Sequence, residues 1–170
     1  MKFRRPALLE STHRRENFDS GEPSLDDWLR RYAGQNRRRN TAAVWVITDI
    51  DDEVVTYATL SMSSVDVSRC PPGLAKGSPK QVPVLLVGRL ATSLSVAGLG
   101  LGTQMIAHIL STTVELNEKA ACRAVVVTAL TKNASTWWQR FGFVPFAPDD
   151  PTDLDLYLLT RDITKTLSHQ

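Results

Sequence analysis

Residues 87–110 restrict the possible folds of this chain more than any other stretch. A strand-like run through Val87-Gly88-Arg89-Leu90-Ala91 leads to glycines at 98, 100 and 102, and an apolar helical pattern, Leu101 to Leu110, starts among them. With no Cβ in the way, Gly98, Gly100 and Gly102 let backbone N–H groups approach a ligand closely. The helix that follows turns its unpaired N–H groups and positive dipole end toward the same place. Strand, glycine turn and helix start in that order make a pyrophosphate site. The plain alternative is a glycine-rich turn that binds nothing, because short glycine motifs recur without ligands.

Spacing excludes two familiar phosphate motifs. A P-loop carries Gly-Lys-Ser/Thr, whereas here the helix opens Gly102-Thr103-Gln104 with no lysine. A dinucleotide fingerprint needs a further glycine where Thr103 stands, and no strand ending in an acid follows the helix.

Downstream, Arg123 to Leu130 reads as a buried strand. Asn133 to Arg140 reads as a short helix, ended by Phe141-Gly142-Phe143. In this order of elements the chain resembles the GCN5-related N-acetyltransferases. Ala134, the pair Trp137-Trp138, Gly142 and Phe143 fall where that family carries an alanine, an aromatic pair usually ending in tyrosine, and Gly-Phe. The resemblance implies an α/β (α+β) fold: one domain over residues 1–170, with a mixed central sheet of six to seven strands flanked by helices. It also implies acetyl-CoA as co-substrate and no metal. The turn Ala97, Gly98, Leu99, Gly100, Leu101, Gly102 and Thr103 is then expected to hold the pyrophosphate. Leu90, Ala91 and Thr92 on the preceding strand, with Asn133 and Trp137, are expected to hold the rest of the cofactor.

The amino-terminal third narrows the resemblance. Phe18-Asp19-Ser20-Gly21-Glu22-Pro23-Ser24-Leu25-Asp26-Asp27-Trp28-Leu29 leads toward Asn36, followed by Tyr57-Ala58-Thr59-Leu60-Ser61 and Gly88-Arg89-Leu90-Ala91. Over about residues 8–161 the chain is similar to the acetyltransferase toxins of type II toxin–antitoxin modules. Those toxins acetylate the amino group of aminoacyl-tRNA and stop translation. The resemblance implies aminoacyl-tRNA and an antitoxin of the ribbon-helix-helix type as partners, and a two-fold homodimer. The aromatic-rich final third, with Trp137, Phe141, Phe143, Phe146 and Tyr157, points to the same dimer. Other acceptors remain open: a polyamine, an antibiotic or a protein amine. So does a fold of this family that binds acetyl-CoA or an antitoxin without turnover.

Strands are expected near 6–12, 42–49, 53–64, 83–93, 123–130, 143–147 and 154–161, and helices near 24–38, 101–117 and 133–140. Prolines and glycines mark 68–79 as a loop. A length of 170 residues suits one domain with a sizeable core, and 42% hydrophobic residues are ordinary for a globular protein. No apolar run approaches the ~20 residues of a membrane span, and none follows the basic start to make a signal peptide. Cys70 and Cys122 lack metal or redox spacing. A cytoplasmic protein is expected.

The first long helix carries two patterns. Leu25, Trp28, Leu29, Tyr32 and Ala33 recur at helical spacing as a buried stripe behind Ser24 as N-cap. Arg30, Arg31, Arg37, Arg38 and Arg39 lie in a stretch, 28–40, with no acid. The net charge of +2 hides this cluster, because Asp149, Asp150, Asp153 and Asp155 gather the negative charge elsewhere. A solvated helix face is the bland account; a polyanion partner, gripped through planar guanidinium groups, is the other. Nothing here reads bases, so contact is expected with RNA backbone. Arg89 is a further candidate for the tRNA end or the cofactor, against an ion pair at the sheet edge.

The chemistry fits a weakly basic acceptor. A free α-amine titrates near 7.7–8.0, and an adjacent ester lowers it, so the α-amine of aminoacyl-tRNA is largely neutral at pH 7. A lysine amine, near 10.4, would need a general base. Trp138 stands where the family's tyrosine is usual, and an indole N–H donates without titrating. Trp138 is therefore expected to position the thioester rather than move a proton. Tyr57 is the alternative hydroxyl, or an ordinary strand aromatic. Ala97 replaces the glutamine or arginine usual in the turn, which leaves the backbone amides to bind.

Overall fold

In the computed structural model, which describes residues 2–167, the apolar runs form seven strands: β1 (Ala7–Leu8), β2 (Ala43–Thr48), β3 (Val54–Asp66), β4 (Gln81–Thr92), β5 (Ala124–Thr128), β6 (Val144–Pro145) and β7 (Asp155–Leu159). Six helices join them: α1 (Pro23–Arg31), α2 (Ala33–Arg38), α3 (Pro72–Ala75), α4 (Leu101–Lys119), α5 (Lys132–Gln139) and α6 (Ile163–Leu167). The sheet order is β1-β2-β3-β4-β5-β7-β6. Parallel neighbours need a long crossover connection, usually a helix; α4 provides it, and Val84–Val87 pair in parallel with Ala124–Val127. The pairs β1–β2, β2–β3, β5–β7 and β6–β7 are antiparallel. The expected mixed seven-stranded sheet with flanking helices is present.

The chain divides into two compact units, Met1–Ser61 with Gly88–His108, and Met62–Val87 with Ile109–Gln170. In the first, Leu9, Phe18, Leu25, Leu29, Ala33, Val44, Val46, Val54, Tyr57 and Ala91 form one buried cluster. In the second, Leu74, Val82, Val84, Ala124, Val126, Tyr157 and Leu159 do the same. The aromatic residues of the final third pack on one another: Trp137 on Phe141, Trp138 on Phe143, and Phe146 on Tyr157, all edge to face. Phe141, Phe143 and Tyr157 are buried within the chain, so the aromatic surplus read from sequence is no argument for a dimer.

Several elements differ from expectation. The helix expected over 24–38 is divided at Tyr32, which caps both α1 and α2 with φ of −118° and ψ of −23°, a distorted right-handed turn. Tyr32 is consequently 49% exposed rather than part of the buried stripe. Ser24 lies inside α1, because Pro23, with φ preset for a first helical residue, moves the start back and makes Glu22 the N-cap. The loop at 68–79 contains α3 and a 3-10 turn, and α6 was not expected.

Candidate functional site

The glycine turn belongs to the first unit, and the residues before it explain its placement. Ser93 N–H donates to the Val55 carbonyl at 2.8 Å, and Leu94 N–H to the Asp19 carbonyl at 2.8 Å. Val96 is buried as an anchor. From there the backbone rises into an exposed stretch, Ala97 to Gly100, and Leu101 returns to the core as the first residue of α4.

Gly98 and Gly100 both have φ of +81°. An L side chain in this region strains the backbone, so both positions favour glycine. A Cβ at either would meet nothing within 4 Å; the space over the turn is open. Gln104 is the first amide of α4 to turn back along the helix, to the Gly100 carbonyl at 3.1 Å. Ahead of it, the amides of Gly98, Gly100, Leu101, Gly102 and Thr103 have no backbone partner among the described residues. Five open donors at a helix start, over a surface with no side chain in the way, fit a diphosphate. Ala97 and Leu99 are exposed beside them.

The strand before the turn is tightly held. Ala91 is buried, and the Thr92 and Thr56 hydroxyls lie 3.1 Å apart. A Cβ on Gly88 would come within 2.9 Å of Thr59 Oγ1, so the strands touch there. Arg89 makes no ion pair among the described residues. Its guanidinium instead lies 4.2 Å over the Trp28 ring. Trp28 stacks on Tyr57 with centroids 6.0 Å apart and planes within 6°, and Phe18 meets Tyr57 edge-on at 5.5 Å. This column orients a half-buried cation without neutralising it.

The column also decides the role of Tyr57. Its side chain is fully buried, and its hydroxyl donates to the Leu25 carbonyl at 2.7 Å. Burial pushes its phenol far above the ordinary range, with the Arg89 charge opposing and the Asp26 charge adding. The reading of Tyr57 as a catalytic hydroxyl is therefore corrected: the group is a core hydrogen bond. Burial also pushes the thiols of Cys70 and Cys122 up from the ordinary cysteine value, which disfavours their thiolate forms.

In the second unit, the Thr131 hydroxyl caps α5 by accepting from the Ala134 amide at 3.1 Å. Asn133 is exposed in the first turn. Trp137 is half-buried. Trp138 is 5% exposed and edge-on to both Trp137 and Phe143. No titratable group occupies the position of the family's tyrosine. Gly142 closes the helix with φ of +92°, and a Cβ there would come within 2.9 Å of Thr166 Oγ1. The Gly-Phe pair is thus a helix stop and a close approach.

The five expected RNA-binding arginines are not equivalent. Arg30 donates to the Phe18 carbonyl at 2.8 Å and pairs with Asp27 at 3.2 Å, so it acts within the fold. Arg31, Arg38 and Arg39 are exposed and Arg37 is half-buried, with no carboxylate in ion-pair reach among the described residues. Arg15, not anticipated from sequence, reaches the same helices: its Nη1 donates to the Leu29 carbonyl at 3.3 Å. No group of metal-ligating side chains occurs among the described residues. Among them, too, no helix is long and apolar enough to cross a membrane.

No protein-family model matches the chain. Over 146 residues it is 35% identical to a tRNA-acetylating toxin of Mycobacterium tuberculosis, which covers 86% of each chain. The structure of AtaT complexed with acetyl-methionyl-tRNAfMet superposes with a TM-score of 0.86 at 22% identity, covering 96% of this chain and 98% of that one. AtaTR bound with acetyl-CoA gives a TM-score of 0.82 at 22% identity, over 96% of each chain. At these identities the two structures establish the fold.

Proposed function

This chain belongs to the tRNA-acetylating toxins of the GCN5-related N-acetyltransferase family, and we propose that it acetylates the amino group of aminoacyl-tRNA at the expense of acetyl-CoA. The modification blocks the amine and stops translation, and a cognate antitoxin restrains the activity. The observation that carries this reading is the row of open amides from Gly98 to Thr103 at the start of α4. The co-substrate supplies an acetyl group on a thiol whose thiolate, with pKa about 8.5, departs readily.

The residues divide the work as follows. The amides of Gly98, Gly100, Leu101, Gly102 and Thr103 hold the diphosphate, between the flanking residues Ala97 and Leu99. Leu90, Ala91 and Thr92 line the strand leading to them. Asn133, Trp137 and Trp138 are assigned by their places in the family's order of alanine, aromatic pair and Gly-Phe. Trp138 offers shape and one N–H, which suffices for an amine that is already neutral, since orientation alone contributes a large part of the rate. Arg31, Arg37, Arg38, Arg39 and Arg89 carry positive charge for the tRNA backbone. The resemblance to these toxins supports a ribbon-helix-helix antitoxin, a homodimer and a cytoplasmic site of action as parts of this proposal.

The burial of Trp138 among aromatic rings favours one second reading, a protein that binds acetyl-CoA without turnover. One assay separates the two. Incubation with acetyl-CoA and charged tRNA should release free thiol, and deacylated tRNA should release none. Binding of acetyl-CoA with no thiol released from any charged tRNA would establish the second reading.

A further inference from the structure

In the first unit, a pocket of about 510 Å³ opens beside α2, and Glu10, Ser11, Arg15, Gly34, Arg37 and Arg38 line it. Two guanidinium groups converge in it. Arg38 Nη1 lies 3.1 Å, and Arg15 Nη1 3.5 Å, from the point that a Cβ on Gly34 would occupy. Arg37 also lines the pocket, and its Nε is buried with no hydrogen-bond partner. A buried unpaired donor on a cation is costly, so it calls for an acceptor.

The protein does not supply that acceptor. Arg4, Arg14 and Arg30 pair with Asp52, Glu53 and Asp27. Glu10 lines the pocket, yet no carboxylate comes within 4.0 Å of Arg15, Arg37 or Arg38 among the described residues. The nearby Glu16 carboxylate accepts from the Arg15 backbone amide at 3.1 Å and is exposed. Arg37 and Arg38 sit in the last turn of α2, where the helix dipole favours cations even without an acid.

We infer that Arg15, Arg37 and Arg38 form a seat for a single phosphodiester of RNA. Planar guanidinium groups grip a phosphate through paired N–H bonds. The space also admits a sugar beside the phosphate. Exposed Arg31 and Arg39 extend the charge to either side along the same helices, which suits a chain of phosphates rather than one free anion. Gly34 keeps the two guanidinium groups together. The inference deepens the tRNA reading and rests on it for the identity of the RNA.

The test uses the full chain, uncharged tRNA and no acetyl-CoA, so that binding is read apart from catalysis. Arg38→Gln, which breaks no internal hydrogen bond seen here, should weaken tRNA binding about tenfold. It should also reduce the slope of log K against log salt by about 0.9. Arg15→Gln should do the same, although it also loses the Leu29 carbonyl. Gly34→Ala should leave the melting temperature unchanged or higher, since alanine favours a helix, yet weaken tRNA binding by pushing Arg38 aside. Acetyl-CoA affinity should be unchanged in all three, and Arg4→Gln should alter neither ligand. Unchanged tRNA affinity and salt slope in Arg38→Gln and Gly34→Ala overturn the inference while leaving the acetyltransferase reading intact. Loss of tRNA binding in these variants, with no acetyl transfer by the parent, overturns that reading and leaves the seat standing. If inorganic phosphate alone binds the parent and is lost in Arg38→Gln while tRNA affinity is unmoved, the pocket takes a free anion and the inference fails.

Discussion

Gly100→Asp separates the ligand's demands on the glycine turn from the fold's. Gly100 has φ of +81° and no atom within 4 Å of where a Cβ would stand. The cost of a side chain to the folded protein is therefore backbone strain alone, ~1–2 kcal/mol, and aspartate tolerates this region better than most residues. For a chain of this length that lowers the melting temperature by roughly 2–8 °C. The cost to a bound diphosphate is larger. Two like charges ~4 Å apart repel by about 4 kcal/mol at an effective dielectric near 20, and by about 1 kcal/mol in bulk water. Acetyl-CoA affinity should then fall between about fivefold and about a thousandfold. Gly100→Ala adds bulk without charge and should lie between the parent and Gly100→Asp. Salt should partly restore binding in the aspartate variant and do little for the alanine variant. Titration calorimetry with acetyl-CoA on both variants, beside thermal melts, measures each quantity. A folded Gly100→Asp protein that binds within about threefold of the parent would refute the assignment of the turn.

Tyr57→Phe should retain acetyltransferase activity and lose about 1 kcal/mol of stability, because the Leu25 carbonyl loses its donor. The folded phenol keeps its proton above pH 10 while the unfolded chain releases it, so parent stability should decline as pH rises past the ordinary phenol value, and less so in Tyr57→Phe; melts at pH 8 and pH 10.5 check the sign. Trp138→Tyr should keep or raise activity and Trp138→Phe should keep part of it, with melting temperatures near the parent's. Trp138→Ala should lose most activity, but it opens a core cavity costing ~3–5 kcal/mol, so the melt must accompany the rate; full activity in Trp138→Ala would make the residue packing only. The parent's pH–rate profile should follow the substrate amine, and a second ionisation near neutrality that belongs to the enzyme would contradict positional catalysis. Replacing Arg31 and Arg39 by glutamine should weaken tRNA binding evenly across tRNAs, by about 0.9 in salt slope per lost contact, whereas Arg30→Gln should mainly lower stability through Asp27 and Phe18.

Local chemistry was legible in the sequence where one residue type has a single use. Gly98, Gly100 and Gly142 all take positive φ, and spacing alone placed them at a turn and a helix stop. The Phe18–Leu29 segment was legible as a signature, but its reason was not: Trp28 stacks on Tyr57, Phe18 meets Tyr57 edge-on, and Asp26 accepts from the Ser20 amide and hydroxyl at 3.0 and 2.6 Å. Tyr57 is far from this segment in the chain, so periodicity carries no trace of it. The same limit left Tyr57 with two readings, since a strand tyrosine looks alike whether its hydroxyl meets a carbonyl or a substrate. The ion pair of Arg30 was hidden for a simpler reason: its partner, Asp27, lies one residue outside the acid-free stretch. Arg15 escaped notice because its pocket forms only when the turn after β1 meets Gly34 and α2. Tyr32 kept the helical spacing, but α1 ends there, and hydrophobic pattern does not register a single distorted turn.

The most direct measurement of the central claim is the chemical state of the amino acid on tRNA. Charged tRNA should be incubated with the purified protein and acetyl-CoA, digested with nuclease, and its aminoacyl-adenosines weighed by mass spectrometry. The account predicts N-acetyl-aminoacyl-adenosine from at least one charged tRNA, dependent on acetyl-CoA and formed more slowly by Gly100→Asp at sub-saturating acetyl-CoA. Unmodified aminoacyl-adenosine from every charged tRNA, with acetyl-CoA bound to the protein throughout, would contradict it.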